Sequence, residues 1–176
     1  MNADELRHHN PVKSAILADL TNLIRAEKLG KVLADGVRLV NENGDVISEP
    51  DLVFASHASI KSGKVRYVAS DDESDRLVEM EGTPDLVLEV VSKHSIRKDT
   101  VVLPKAYFDG GIPEYWLIEA TEKLVDFQLL IRGDREYVKS AKSSDGYAFS
   151  PTLKRFFFLN RTLDELGYYD YQLLWR

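Results

Sequence analysis

The chain has 176 residues, of which 44% are hydrophobic and 30% charged, as is typical of a soluble globular protein with a sizeable core. The sequence contains no cysteine, which excludes disulfides, thiol catalysis and thiolate metal sites. The net charge of −6 gives no sign of general polyanion binding, although it is compatible with a local basic surface.

Neither a membrane helix nor a signal peptide is expected from the sequence. No apolar run approaches the roughly 20 residues that a membrane helix requires. The first ten residues, MNADELRHHN, are polar and lack the apolar core of a signal peptide. We therefore expect a cytoplasmic protein with a single domain over residues 1–176.

The first predicted element is an amphipathic helix over residues 10–28, with Asn10 as its cap. Its apolar residues recur at three- and four-residue spacing: Val12, Ile16, Leu17, Leu20, Leu23 and Ile24. Residues 31–47 alternate loosely between apolar and polar, and NENGD (41–45) has the composition of a turn. Residues 50–54 form a short apolar strand that is opened by a proline, a position where proline is tolerated.

Residues 55–83 are polar and predict a long excursion with a strand near KVRYVA (64–69) and an acidic cluster, SDDESD (70–75). A buried strand follows at 85–91, because its apolar residues occupy both faces. A short helix at 99–111, with Pro104 early in it, separates this strand from another at 113–120. This strand–helix–strand unit predicts two parallel strands, and therefore an α/β fold with a mixed sheet.

The C-terminal third predicts a hairpin and a short helical turn. Residues 124–132 and 135–142 have the pattern of two strands joined at Gly133-Asp134. Residues 162–166, TLDEL, are interpreted as a helical turn, and the aromatic tail GYYDYQLLWR follows it.

The strand at 85–91 carries a carboxylate, Glu89, near its end. An unpaired buried carboxylate is costly, so Glu89 is paired, protonated, at an edge of the core or bound to a metal. The simplest alternative is a salt bridge to a lysine or arginine at the end of the sheet. If 51–54 and 85–91 pair antiparallel, however, Asp51 faces Glu89.

Two carboxylates at one edge of a sheet suit a hard cation, for which Mg²⁺ is the best fit and Mn²⁺ the alternative. Asp85 is a second-choice ligand, because four residues along a strand place it about 13 Å from Glu89. Its other interpretation is a residue that caps backbone N–H groups where the strand begins.

Cations surround the predicted pair of acids: Lys93, His94, Arg97, Lys98 and Lys105. Lys93, Arg97 and Lys98 are candidate nucleic-acid contacts, since cationic side chains hold phosphate and stabilise the charge that develops on it. The alternative is a solvated loop and helix face.

Residues 84–120, PDLVLEVVSKHSIRKDTVVLPKAYFDGGIPEYWLIEA, resemble the Uma2 family of restriction-endonuclease-like proteins within the PD-(D/E)XK nuclease superfamily. The upstream EPDLVF (49–54) and a histidine near the first helix, His9, extend the resemblance. It implies a restriction-endonuclease-like fold, a mixed central sheet flanked by helices, and Mg²⁺-dependent cleavage of phosphodiesters. It also implies that Asp51 is the first acid of the site and Glu89 the second.

The lysine of the superfamily is missing from both usual positions. The position two residues after the second acid is Val91, and the position four residues before the motif tyrosine, Tyr107, is Leu103. Lys98 at the helix entrance and Lys105 are the candidate replacements, and Lys98 is preferred. Tyr107 matches the family, but an ordinary core tyrosine has the same pattern.

Three functions remain open from the sequence. The first is a Mg²⁺-dependent nuclease acting on nucleic acid, with DNA as the expected substrate. The second is a catalytically degenerate module that binds nucleic acid or protein, and the third is an α/β domain with structural carboxylates. We also expect a homodimer with a contact in the aromatic tail, because large exposed apolar patches mark interfaces. The alternative for the tail is a final strand of its own domain.

Overall fold

A computed structural model describes residues 5–34, 36–69 and 77–176. The helices are α1 (Asn10–Ala26), α2 (His57–Lys61) and α3 (Leu103–Asp109), and π-helical segments at Glu5–His9 and Lys98–Val102 lead into α1 and α3. The strands in the described residues are β1 (Gly30–Ala34), β2 (Arg38–Asn41), β3 (Val46–Ser48), β4 (Leu52–Ser56), β5 (Val65–Ala69), β6 (Leu77–Gly82), β7 (Leu86–Val90), β8 (Glu114–Ala120), β9 (Val125–Arg132), β10 (Tyr137–Lys139), β11 (Ala148–Ser150), β12 (Arg155–Leu163) and β13 (Tyr169–Trp175).

The central sheet is mixed and has the strand order β1-β4-β7-β8-β9-β10. Strands β4 and β7 are antiparallel, whereas β7 and β8, which are joined through α3, are parallel. Both pairings agree with the sequence prediction. A four-stranded sheet (β3-β2-β6-β5) and a three-stranded sheet (β11-β12-β13) complete the fold. The protein is therefore α/β, with helices that flank a mixed central sheet, which is the architecture that the family resemblance implies.

The central sheet buries apolar side chains on both of its faces. On one face α1 and the β11–β13 sheet pack against Leu86, Leu88 and Val90 of β7. On the other face α3 and the four-stranded sheet pack against Val87. Because residues two apart share a face of a strand, Glu89 points to the same side as Val87. This double burial explains why β7 is apolar on both faces in the sequence.

The N-terminal elements agree with the sequence except at the cap of the first helix. Helix α1 buries its predicted apolar stripe, but Asn10 is not its cap. The π-helical segment Glu5–His9 runs directly into α1, so there is no extended residue to act as a cap. The predicted turn at 41–45 contains a 3₁₀ turn, Glu42–Gly44, in which Asn41 Oδ1 accepts a hydrogen bond from Gly44 N (3.0 Å).

The polar excursion contains the predicted strand as β5, together with α2 and β6. The acidic cluster at 70–75 lies outside the described residues. Among the helices of the described ranges, none has the length and apolar character needed to cross a membrane.

The C-terminal residues form a β-hairpin, so the predicted helical turn at 162–166 is wrong. Asp164 Oδ1 accepts hydrogen bonds from the backbone N–H groups of Leu166 and Tyr168 (both 2.8 Å), which closes a turn between β12 and β13. The aromatic tail forms β13, in which Tyr171 and Leu173 are buried. Asp19 Oδ2 of α1 accepts a hydrogen bond from Leu173 N (2.8 Å), which anchors the tail to its own domain.

Glu114, at the start of β8, is a buried carboxylate with a structural role. It accepts hydrogen bonds from Trp116 Nε1 (2.6 Å) and from Thr152 N (3.1 Å), and therefore ties β8 to the turn between β11 and β12. Burial raises its pKa, and these hydrogen bonds oppose the shift. Trp116 itself packs in the core.

Replacing Glu114 with alanine should destabilise the fold. The buried N–H of Trp116 and the partly buried N–H of Thr152 lose their acceptor, which costs about 1–3 kcal/mol for a buried group and less for a partly buried one. We expect Glu114→Ala to lower the free energy of unfolding in urea by about 2–4 kcal/mol, and Glu114→Gln to lower it less because one carbonyl oxygen remains. Equal stability of Glu114→Ala and the wild-type protein would contradict this role.

Candidate active site

Asp51 and Glu89 lie at the same edge of the central sheet because of the β4–β7 register. Leu52 pairs with Leu88, and Asp51 and Glu89 are the next residues at that end of the two antiparallel strands. Asp51 Oδ2 accepts a hydrogen bond from Val90 N (2.7 Å), which fixes the carboxylate against the end of β7. The structure therefore brings together the two acids that the sequence paired.

Glu89 is 3% exposed and interacts with the hydroxyl of Tyr107. Tyr107 donates to Glu89 Oε1 (3.0 Å), and its oxygen lies 3.0 Å from Ser48 Oγ. Burial is the main reason that the pKa of Glu89 is raised to about 8; the charge of Asp51 raises it further, while Lys98 opposes the shift. At neutral pH the metal-free site therefore carries a proton on Glu89. Tyr107 is both a core residue and a neighbour of the site.

A third carboxylate, Asp99, lies in the segment that leads into α3. Its side chain is 1% exposed, and among the described residues its Oδ1 has no hydrogen-bond partner. Lys98 Nζ lies 3.6 Å from this oxygen. Burial raises the pKa of Asp99, and the charges of Asp51 and Asp99 both raise the pKa of Glu89. The three acids therefore share one electrostatic environment.

Helix α1 approaches the same edge from the other face of the sheet. His9 Nε2 donates to the carbonyl oxygen of Val90 (3.0 Å). One turn later, Lys13 Nζ lies 2.7 Å from Asp51 Oδ1. The first turn of α1 is thus connected both to the end of β7 and to the first acid.

Asp85 lies at the opposite end of β7, apart from the acid pair. Its carboxylate accepts hydrogen bonds from Ser56 N (2.7 Å) and Ser59 Oγ (2.8 Å), and Lys64 Nζ lies 3.6 Å away. These contacts correspond to the structural interpretation of Asp85, a residue that caps backbone N–H groups at the start of the strand. They do not favour its second-choice assignment as a metal ligand.

The predicted cations divide between two surfaces. Lys93, Arg97 and Lys98 are exposed on the segment after β7, at the edge that carries Glu89. Lys105 is instead on α3, with a side chain that is 78% exposed and paired with Asp109 (2.5 Å). The positions that usually carry the lysine, Val91 and Leu103, are buried and apolar. Lys98 is therefore better placed than Lys105 to act beside the acids.

The carboxylates present fit a magnesium ion that keeps part of its water shell. Asp51 and Glu89 offer oxygen ligands from facing strands. The charge of Asp99, whose buried Oδ1 has no hydrogen-bond partner among the described residues, also acts on Glu89. Mg²⁺ is usually held by one or two carboxylates together with waters and substrate phosphates. In the described ranges, no group of three or more His, Cys, Asp or Glu side chains is placed to hold a metal ion, so the protein ligands are limited to the pair Asp51 and Glu89.

Sequence reasoning missed two residues of this site, Lys13 and Asp99. Lys13 lies on a helix whose apolar stripe predicted only packing, and helix periodicity does not show which acid a polar residue will meet. Asp99 follows the basic pair Arg97-Lys98, so it was interpreted as part of a polar helix start. No sequence signal distinguishes Asp99 from other polar residues at the start of a helix.

Glu89 should make stability depend on pH. Since its pKa is raised to about 8 in the folded protein and is near 4.5 when unfolded, the folded state binds more protons between these values. Stability should therefore fall as pH rises from about 5 to 8, by up to about 1.4 kcal/mol per unit. Glu89→Gln should remove this slope and be the more stable protein at pH 8.5 without metal, as measured by urea unfolding.

The matched control for this measurement is Glu119→Gln, which changes an exposed glutamate on β8. It should retain the wild-type dependence on pH. Parallel pH profiles for the wild-type protein and Glu89→Gln would show that Glu89 does not titrate in this range.

Comparisons with known proteins agree with this architecture. The Uma2 family, described as "Putative restriction endonuclease", matches residues 1–155. A crystal structure of a putative nuclease belonging to DUF820 from Anabaena variabilis superposes with a TM-score of 0.58 at 12% identity, covering 83% of this chain and 73% of that one. No curated protein matches the sequence. Because the family match extends over most of the chain, this protein belongs to the Uma2 family.

Proposed function

We propose that this protein is a metal-dependent nuclease that hydrolyses phosphodiester bonds of nucleic acid, with DNA as the expected substrate. The observation that carries the proposal is the pairing of Asp51 and Glu89 at one edge of the central sheet in a Uma2-family chain. An exposed basic segment beside these acids supports a polyanionic substrate despite the net charge of −6.

Asp51 and Glu89 would hold Mg²⁺, or Mn²⁺ in its place, through their carboxylate oxygens. When bound, such an ion activates water and neutralises charge on the phosphodiester. Glu89 must release its proton to act as a ligand, because the pKa of this buried carboxyl is about 8 without metal. Tyr107, which donates to Glu89 Oε1, orients the carboxylate from within the core.

The segment after β7 would bind the substrate. Lys93, Arg97 and Lys98 are exposed there and provide positive charge for the phosphate backbone. Of these three cations, Lys98 is the one whose charge lowers the pKa of the Glu89 carboxyl. We assign Lys98 to the stabilisation of charge on the substrate phosphate.

The test is a cleavage assay with Mg²⁺ or Mn²⁺ on duplex DNA, single-stranded DNA and RNA. We expect the wild-type protein to cleave with added metal and to lose activity in excess chelator. Asp51→Asn and Glu89→Gln should each lower the rate by at least about 100-fold, because each removes a charged metal ligand. Calorimetry with the metal alone should show weaker binding in both variants. Unchanged metal affinity would contradict the assignment of the ligands.

The same assay compares two lysines as a further control of the site. Lys98→Ala should lower the rate more than Lys105→Ala, because Lys105 is paired with Asp109 on the exposed side of α3. Equal rates in the two variants would remove the role given to Lys98.

The proposed assembly is a homodimer formed through the outer face of the β11–β13 sheet. Phe149 and Phe156 form a cross-strand pair there, with ring centroids 5.0 Å apart and exposed fractions of 37% and 39%. Trp175 is 39% exposed at the end of β13. Two-fold pairing through a self-complementary apolar patch is the commonest oligomer.

Light scattering at high micromolar concentration should therefore give the mass of a dimer, and Phe149→Ser with Phe156→Ser should give a monomer. These substitutions leave β13 in place, where Tyr171 and Leu173 belong to the core. A monomeric wild-type protein at this concentration would exclude the dimer.

A further inference from the structure

The two positions that usually carry the lysine, Val91 and Leu103, are apolar here, whereas Lys13 of α1 contacts the first acid of the site. Its Nζ lies 2.7 Å from Asp51 Oδ1, and the two side chains are only 20% and 17% exposed. The other oxygen of Asp51 accepts from Val90 N at 2.7 Å. Both oxygens of the first acid are thus held by groups that the fold positions, one of them a cation.

The position of Lys13 is fixed by a second contact on the same helix. His9 lies four residues earlier and therefore on the same face of the helical segment. Its Nε2 donates to the carbonyl of Val90, which is also the residue whose N–H binds Asp51. An ordinary surface ion pair has no such anchor and contributes little to stability. This arrangement holds an ammonium group against Asp51 with limited freedom.

The other candidates are less well placed than Lys13. Lys98 has a side chain that is 51% exposed and lies 3.6 Å from the buried carboxylate of Asp99. Lys105 is paired with Asp109 on the outer side of α3. Lys13 is more buried than either, and its partner is the acid that begins the site.

Building on the nuclease function above, we propose that Lys13 is the catalytic lysine of this site, supplied by the N-terminal helix. Its ammonium neutralises Asp51 in the metal-free protein and donates to the substrate phosphate at the Asp51 side during cleavage. Lys98 provides positive charge from the opposite side. Catalysis requires a cation fixed beside the negative charge that develops on the phosphate. A helix can supply this cation as well as a strand.

A different role for the contact between Lys13 and Asp51 predicts the opposite effect of removing Lys13. If the ammonium of Lys13 permanently takes the place of a metal ion on Asp51, the protein is a binding module that does not use this carboxylate as a metal ligand. Removing Lys13 would then expose Asp51 to metal and increase both metal affinity and cleavage. The two roles can therefore be separated by one set of variants.

The experiment compares the wild-type protein with Lys13→Met, Lys13→Arg and Arg25→Met. Arg25 is an exposed cation on the same helix, about 18 Å further along at 1.5 Å per residue, and is the matched control. Each protein is measured for Mn²⁺ affinity by calorimetry with the metal alone, for thermal unfolding, and for cleavage of the nucleic acid that the wild-type protein cleaves best.

We expect Lys13→Met to bind Mn²⁺ at least as tightly as the wild-type protein, to remain folded, and to cleave about 10²–10³-fold more slowly. Lys13→Arg keeps the charge and should therefore recover part of the cleavage rate. It should also remain folded, even if Lys13→Met does not. Arg25→Met should behave as the wild-type protein.

Three results would overturn the inference. If Lys13→Met cleaves at the rate of the wild-type protein, Lys13 has no catalytic role, and the proposed nuclease function is unaffected. Faster cleavage with tighter Mn²⁺ binding identifies Lys13 as a metal substitute. Absence of cleavage by the wild-type protein on every substrate, with Mn²⁺ bound, overturns the nuclease function and this inference with it.

Discussion

The antiparallel register of β4 and β7 is the constraint on which the site depends. Leu52 pairs with Leu88. Because the two strands are antiparallel, Asp51, just before β4, and Glu89, near the end of β7, lie at the same edge of the sheet. The hydrogen bond from Val90 N to Asp51 Oδ2 closes this end of the pairing with a side chain in place of a backbone carbonyl. A shift of one residue would turn Glu89 into the other hydrophobic layer.

The site collects more negative charge than a buried edge tolerates without compensation. Asp51, Glu89 and Asp99 interact electrostatically in a region where burial disfavours the charged forms. The fold offsets this by protonating Glu89 near neutral pH and by placing Lys13 and Lys98 on opposite sides. A divalent cation bound by Asp51 and Glu89, as we propose, would replace this proton with a larger positive charge.

The parts of the fold that the sequence predicted are those set by local pattern. The apolar runs at 50–54, 85–91 and 113–120 correspond to β4, β7 and β8, and the acid pair followed from one assumption about their pairing. The prediction of a helical turn at residues 162–166 was wrong because TLDEL contains helix-forming residues. There Asp164 instead binds two backbone N–H groups of a turn, a local alternative that composition does not distinguish.

The cations of the site were harder to predict for a physical reason. Lys98 follows Glu89 closely in the chain, so sequence distance alone suggests proximity. Lys13 precedes Asp51 by 38 positions and reaches it only because α1 packs across the opposite face of the sheet. The packing of a helix on a sheet is decided by tertiary contacts, which a single sequence does not specify.

The contact between α1 and β13 has a consequence for the order in which the protein is made. Helix α1 packs with Tyr171 and Leu173, and Asp19 accepts a hydrogen bond from Leu173 N, 154 positions later in the sequence. A nascent chain that still lacks β13 exposes the apolar stripe of α1 and cannot hold this helix in its final place. The site can therefore be completed only after both α1 and β13 have been synthesised and have packed together.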